Sequence, residues 1–188
     1  MQSAQTDSTI TFEIPVLSEQ EFDSFDDAEL ALHTWNKQHG LEVTRAHNKK
    51  NKLKVIRQRD YQCDRNGKTQ NNRGLRENER VRTARGTSKT GCSMKIRLEA
   101  VDPNNCAGKW KIIHLNGSKL HNHPASRDPS VHPGHRRRDL ERHITGQISS
   151  LDLVASQSAV GVSPEVVMAT LLHADPASSV TSKDIANR

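Results

Sequence analysis

The sequence predicts an α+β protein: a small antiparallel sheet, a helix ahead of it and a helical extension behind it. Three observations carry this. Two-residue alternation over 92–101 puts Met94, Ile96, Leu98 and Ala100 on one face and Lys95, Arg97 and Glu99 on the other. Helical spacing marks the stretch before residue 40 and again 163–174. Apolar residues make up 32% and aromatics 3% of 188 residues, which leaves a small core with long polar flanks.

The elements follow in chain order. Residues 1–20 are polar and read as a disordered tail, with "ITFEIPVL" the one stretch able to extend. "SFDDAELALHTWNKQHG" is a helix. Ser24 or Asp26 caps it, Asp26, Asp27 and Glu29 suit its positive end, and Gly40 stops it. Ala28, Ala31 or Leu32, and Trp35 recur at helical spacing. Strands at 41–46 and 52–63 flank a turn, "HNKKN". Residues 64–90 hold almost no large apolar side chain and read as a long basic loop. Strand 92–101, turn 102–108 and strand 109–115 complete the sheet, and "NGSKLHNH" ends it. This gives one domain over 21–125. A linker over 126–138 leads to a helical extension, 139–188, interrupted near Gly146. In that extension Ser163, Pro164 and Glu165 make a helix start, and Thr181 with Asp184 begins another.

Charge narrows the function. The chain carries a net +6, and residues 42–123 alone hold 20 basic against 7 acidic residues. Such a segment between acidic flanks calls for a polyanion, nucleic acid being the commonest. Nothing approaches the ~18 apolar residues of a membrane helix, and the N-terminus lacks a signal-peptide pattern. Three cysteines do not make a secreted disulfide scaffold. The expectation is a soluble intracellular protein with no membrane partner.

His121 and His123 pose a sharper question. In an extended strand, residues two apart point to the same side, so both imidazoles reach one ion. Zinc takes four nitrogen or thiolate donors in a tetrahedron. Cys92 opens a strand that runs roughly 30 Å away at about 3.3 Å per residue. Cys106 lies in the turn at that far end, and the next strand returns the chain toward Cys92. Cys63 closes a strand running alongside. The predicted ligands are Cys63, Cys92, His121 and His123, spaced C-x28-C-x28-H-x-H, holding one structural zinc ion (Zn2+). That ion supplies folding energy the thin core lacks. Cys106 is then an uncoordinated thiol, and His132, His135 and His143 are solvated.

These residues resemble a known family. "YQC…GCSMKIRLEA…KWKIIHLNGSKLHNHP" resembles the WRKY and glial-cells-missing zinc fold. It is closer to the DNA-binding domain of the far-red impaired response family, which also opens Mutator-like transposases. The resemblance covers about residues 20–125, with Gly91-Cys92 and the terminal His-x-His its most specific parts. "HPGHRRR" and "TSKDIANR" resemble the linker ahead of the catalytic domain in fungal Mutator-like elements. The resemblance implies a four- to five-stranded antiparallel, WRKY-like sheet with zinc at one end and a strand edge in the major groove. It places "TRAHNKKNKLK" in the groove-facing position, hence Arg45, Asn48, Lys49, Lys50, Lys52 and Lys54 near DNA. The residues themselves agree, because this is a basic turn between strands, able to neutralise phosphates, with Asn48 or Arg45 able to reach base edges. The WRKY heptapeptide is absent, so no base preference carries over. In the long loop Arg73, Arg76, Arg80, Arg82, Arg85 and Lys89 read as phosphate contacts ordered on binding.

The sequence thus points to a nuclear, zinc-dependent, sequence-preferring double-stranded DNA-binding module, either a transcription regulator or a transposase-derived recognition protein. Strand transfer needs an Asp-Asp-Glu set in a separate domain, and the residues after 125 read as linker and helices, so no enzyme is expected. The alternative is a zinc-stapled module for RNA or protein. RNA readers stack bases on exposed aromatics, and this chain has few. The C-terminal helices offer a surface for a protein partner.

Overall fold

The computed structural model describes residues 11–15, 17–68, 74, 76, 87–115, 120–145 and 148–188. The chain forms two units. One holds residues up to Trp35 and Val43–Ala125, and the other holds Asn36–Glu42 and Ser126–Arg188.

The first unit is built on a five-stranded antiparallel sheet. Its elements are β1 (Phe12–Glu13), β2 (Glu21–Phe22), α1 (Phe25–Gln38), β3 (Val43–Lys50), β4 (Ile56–Cys63), β5 (Lys95–Ala100), β6 (Trp110–His114) and β7 (Leu120–His121). The sheet order is β2-β6-β5-β4-β3, and β1 pairs separately with β7. The period-two pattern puts Tyr61, Cys63, Ile96, Leu98, Ala100, Trp110 and Ile112 on the inner face, against Ala28 and Leu32 of α1. Each large side chain so buried contributes about 1.5–3 kcal/mol. Trp110 donates from Nε1 to the Cys106 carbonyl at 2.9 Å, and Phe25 meets its ring edge-on at 4.9 Å. Ser24 caps α1: its Oγ accepts from the Asp27 N–H at 3.1 Å and its hydroxyl donates to Asp27 Oδ2 at 2.6 Å.

Two local expectations change. The polar "HNKK" continues β3 as strand, and the turn falls later, at 51–55. Asn51 makes that turn, its Oδ1 accepting from the Leu53 and Val55 N–H groups at 3.0 Å each. β3 is an edge strand, so polar residues on both its faces cost no burial. The stretch expected to extend, within 10–17, does carry a strand, and structure continues past it; residues 1–10 and 16 lie outside the described residues. Phe12 pairs with His121, Ile14 and Leu17 are buried, and the Gln20 carbonyl accepts from Ile112 N–H at 3.2 Å. Apolar side chains at 12, 14 and 17, with edges of β6 and β7 to pair against, draw this arm onto the sheet.

The second unit is helical. A 3-10 turn (Pro129–Val131) precedes α2 (Pro133–Glu141), a ribbon of β8 (His143–Thr145) and β9 (Ile148–Ser149), then α3 (Ser150–Ala159), α4 (Pro164–Ala174) and α5 (Ser182–Ala186). Gly146 itself lies outside the described residues. Leu140, Val154, Val167, Leu171, Val180 and Ile185 form the core. Ser149 with Asp152, and Thr181 with Asp184, make reciprocal capping boxes on α3 and α5.

The stretch expected as a linker, 126–138, therefore carries structure, and the expectation of solvated histidines fails at His132 and His135. Both are buried, at 2% and 1% exposure. His135 donates from Nε2 to the Leu41 carbonyl at 2.7 Å, and its Nδ1 lies 3.0 Å from the buried Glu42 carboxylate, which Arg138 also engages. Buried Asp139 accepts from Lys37 at 2.8 Å, Arg142 at 2.9 Å and the Ser179 N–H at 2.6 Å. The segment reads as polar because its burial is ionic, and apolar periodicity is blind to that.

Candidate metal centre and nucleic-acid face

Cys63 ends β4, Cys92 lies just ahead of β5, and His121 and His123 come from β7 and the residues after it. The sheet brings the four together, all buried, with one donor atom from each lying within 4.8 Å of the others. Cys63 Sγ is 3.1 Å from His123 Nε2, Cys92 Sγ is 3.5 Å from His121 Nδ1, and the two nitrogens are 3.3 Å apart. A tetrahedral ion with bonds of about 2.0 Å to nitrogen and 2.3 Å to sulfur sets donor edges of about 3.3–3.8 Å. The cluster can hold one metal ion at nearly that spacing.

Its surroundings suit a cation. The Cys63 thiol donates to Cys92 and, with His121 and His123 acting in the same direction, pulls Cys92 far below the ordinary thiol pKa despite burial. Cys63 is raised, first by that same bond and then by burial. A lowered thiol pKa favours the thiolate, the form that binds metal. Each sulfur also accepts a backbone N–H two residues on, Cys63 from Arg65 at 3.4 Å and Cys92 from Met94. His123 Nδ1 donates to the Pro124 carbonyl at 3.0 Å, which leaves the Nε2 lone pair facing the cluster.

The basic hairpin lies at the other end. Cys63 pairs with Val43, and Lys50 with Ile56, so the turn is about 23 Å from the cluster at ~3.3 Å per residue. Asn48, Lys49, Lys50, Lys52 and Lys54 are all exposed there. Arg45 is exposed too, but its guanidinium makes a bidentate pair with Glu29, Nε to Oε1 at 2.9 Å and Nη2 to Oε2 at 2.8 Å. Burial raises the Glu29 pKa, yet the hydrogen bonds from Tyr61 and Arg45 outweigh it and hold the carboxyl below its usual value. Cys106 lies at this turn end, half-buried, with Sγ 3.5 Å from Asn51 Nδ2.

Comparison with known families matches the FAR1 DNA-binding domain to residues 33–127, half of the chain. The chain belongs to that family. No curated protein and no solved structure matches it. Membership in the FAR1 family supports DNA binding and a DNA partner, and it is a binding family rather than a catalytic one. It also agrees with the WRKY-like superfamily and Mutator-like resemblance. No helix among the described residues is long and apolar enough to cross a membrane.

Of the loop arginines in this FAR1 chain, Arg76 is exposed, while Arg73, Arg80, Arg82 and Arg85 lie outside the described residues. Lys89 is exposed and donates from Nζ to the Asp64 carbonyl at 2.8 Å, at the root of the loop. Sequence reasoning missed the side chains that aim the cluster. Asn122, between the two histidines, donates to the Thr90 carbonyl at 2.7 Å and accepts from the Thr90 hydroxyl at 2.8 Å. Asn66 donates to the Cys92 carbonyl at 2.6 Å. Gly91 has φ +72°, a conformation that strains any residue with a Cβ, and so turns the chain into Cys92. A glycine directly before a candidate ligand was the one available signal.

Proposed function

We propose that this chain is a zinc-dependent, sequence-preferring double-stranded DNA-binding module, acting in the nucleus as a transcription regulator or a transposase-derived recognition protein without catalysis of its own. The observation that carries this reading is the buried Cys2His2 cluster at one end of a FAR1 sheet whose other end is a basic hairpin. Cys63, Cys92, His121 and His123 hold the zinc, whose role is to fix the strands, with no part in chemistry. Lys49, Lys50, Lys52 and Lys54 neutralise phosphates. Asn48 reaches a base edge. Arg45 does so only by exchanging Glu29 for a base or phosphate. Arg73, Arg76, Arg80, Arg82, Arg85 and Lys89 add backbone contacts.

A mobility-shift titration with the zinc-loaded chain tests it. With about six phosphate contacts, affinity falls about 10³-fold between 50 and 200 mM salt, and chelation abolishes the shift. Binding that ignores both salt and chelator would sink the reading. Selection from random duplexes checks preference: an unenriched pool removes that part alone.

A further inference from the structure

The apex of the basic hairpin holds an apolar side chain. Leu53 is 77% exposed, more than any other large apolar residue of the described sheet unit, and it sits between Lys52 and Lys54. Val55, 49% exposed, and Val101, 42% exposed, lie at the same end of the sheet. A lone exposed leucine needs no explanation, but this one is held in place. Asn51 Oδ1 accepts from Leu53 N–H and from Val55 N–H, and the Asn51 N–H donates to the Val55 carbonyl at 2.8 Å. Asn51 Nδ2 donates to the Pro103 carbonyl at 3.4 Å, bracing the turn against the β5–β6 connection. Lys54 adopts φ +62°, a region uncommon for a residue with a Cβ. The apex is thus shaped before any partner arrives.

A rigid apolar tip ringed by lysines complements a partner that is anionic outside and apolar within. Duplex DNA is such a partner, with phosphate ridges around stacked bases. Side chains along β3 alternate between the two faces of the sheet, whereas Leu53 lies beyond the last paired residues, Lys50 and Ile56, at the tip of the hairpin. Resting on the DNA-binding reading above, we propose that Leu53 is a wedge: it enters between two stacked base pairs, partly unstacks them and bends the duplex, while Lys49, Lys50, Lys52 and Lys54 clasp the flanking phosphates. Pyrimidine–purine steps unstack most readily. The wedge therefore favours TA or CA steps and adds sequence preference without a base hydrogen bond.

The test uses the zinc-loaded full chain and a duplex selected from a random pool, carrying 2-aminopurine at successive positions and a fluorophore pair at its ends. Wild type brightens 2-aminopurine at one step and shortens the end-to-end distance. Leu53→Ser keeps its zinc, binds about 10-fold more weakly, loses brightening and bend, and leaves the salt slope unchanged. Lys52→Ala lowers the salt slope by about one and keeps the brightening. Binding without unstacking, or equal unstacking by Leu53→Ser, overturns the wedge alone. A chain that binds no duplex overturns the DNA reading as well. Vesicles of phosphatidylserine form the control: Leu53-dependent capture there, with DNA stacking undisturbed, assigns the tip to an anionic lipid surface and rejects the proposal.

Discussion

In the sheet unit Lys49, Lys50, Lys52 and Lys54 stand exposed in water, with no ion pair among the described residues, whereas in the helical unit Arg136, Arg138 and Arg142 each close on a carboxylate. Residues 126–188 hold seven basic and seven acidic residues, and residues 42–123 hold 20 and 7. The same residue type therefore serves two ends. Where acids are scarce, the charge faces outward toward a polyanion. Where they match, it is consumed in holding helices together. In "HPGHRRRDLERH" Glu42, Asp139, Asp175 and Asp184 claim most of the arginines.

Metal removal should separate the two units most. Zinc sites of this kind are worth about 10–16 kcal/mol of folding, so Cys92→Ser should drop zinc from one per chain to none and unfold the sheet. Mass spectrometry for metal and circular dichroism check this, with the helical signal at 222 nm largely retained. A mutant with full zinc would move the centre elsewhere. The converse change is Glu42→Ala. It strands Arg138 and His135 without their buried carboxylate, costs the helical unit about 3–5 kcal/mol, and leaves DNA affinity unaltered. Urea unfolding and a binding isotherm on the same preparation decide it.

Deleting residues 1–13 tests the arm. Its loss removes the strand partner of His121, and zinc transfer to a chelating dye should quicken about 10-fold, by analogy with losing an outer hydrogen bond of a ligand. Unchanged transfer would make β1 ornamental. Salt dependence then sharpens the contrast of charge. Lys50→Ala should lower the salt slope of DNA binding by about one, while Arg142→Ala lowers helical stability and not the slope. The smallest effect is acid sensitivity. In Glu29 and Asp184 burial raises the pKa, but hydrogen bonds from Tyr61 and Arg45, and from Thr181 with Arg136, outweigh it and leave the folded value lowered. Stability from both groups is complete above the unfolded values of about 4 and fades as pH falls through the lower folded ones. A denaturation series from neutral pH to pH ~3 should show loss only at its acid end.

What could be read in advance follows from which forces leave a pattern. Strand alternation at 92–101 announced β5 and its inner face, and the helix with its Ser24 start was equally plain. Strand length and direction alone grouped Cys63 and Cys92 with the two histidines and sent Cys106 to the opposite turn, because geometry along a sheet is additive. Three things left no periodic trace. β3 runs through "HNKK" because an exposed edge strand needs no apolar face. The buried Glu42–His135–Arg138 group is joined across 96 residues by charge. Asn122 and Thr90 steer the cluster through side-chain amide and hydroxyl bonds that no spacing rule encodes.

The ligand spacing has a practical corollary. Cys63 closes β4 and its N–H donates to the Met94 carbonyl at 3.1 Å, so the chain is fixed on both sides of the 28 residues that separate Cys63 from Cys92. Closing a longer tether is cheap, about 0.6 kcal/mol for each doubling. That makes residues 69–86 a natural insertion point: a fluorescent tag or a second recognition module spliced there leaves Asn66, Thr90 and Gly91 in place around the cluster.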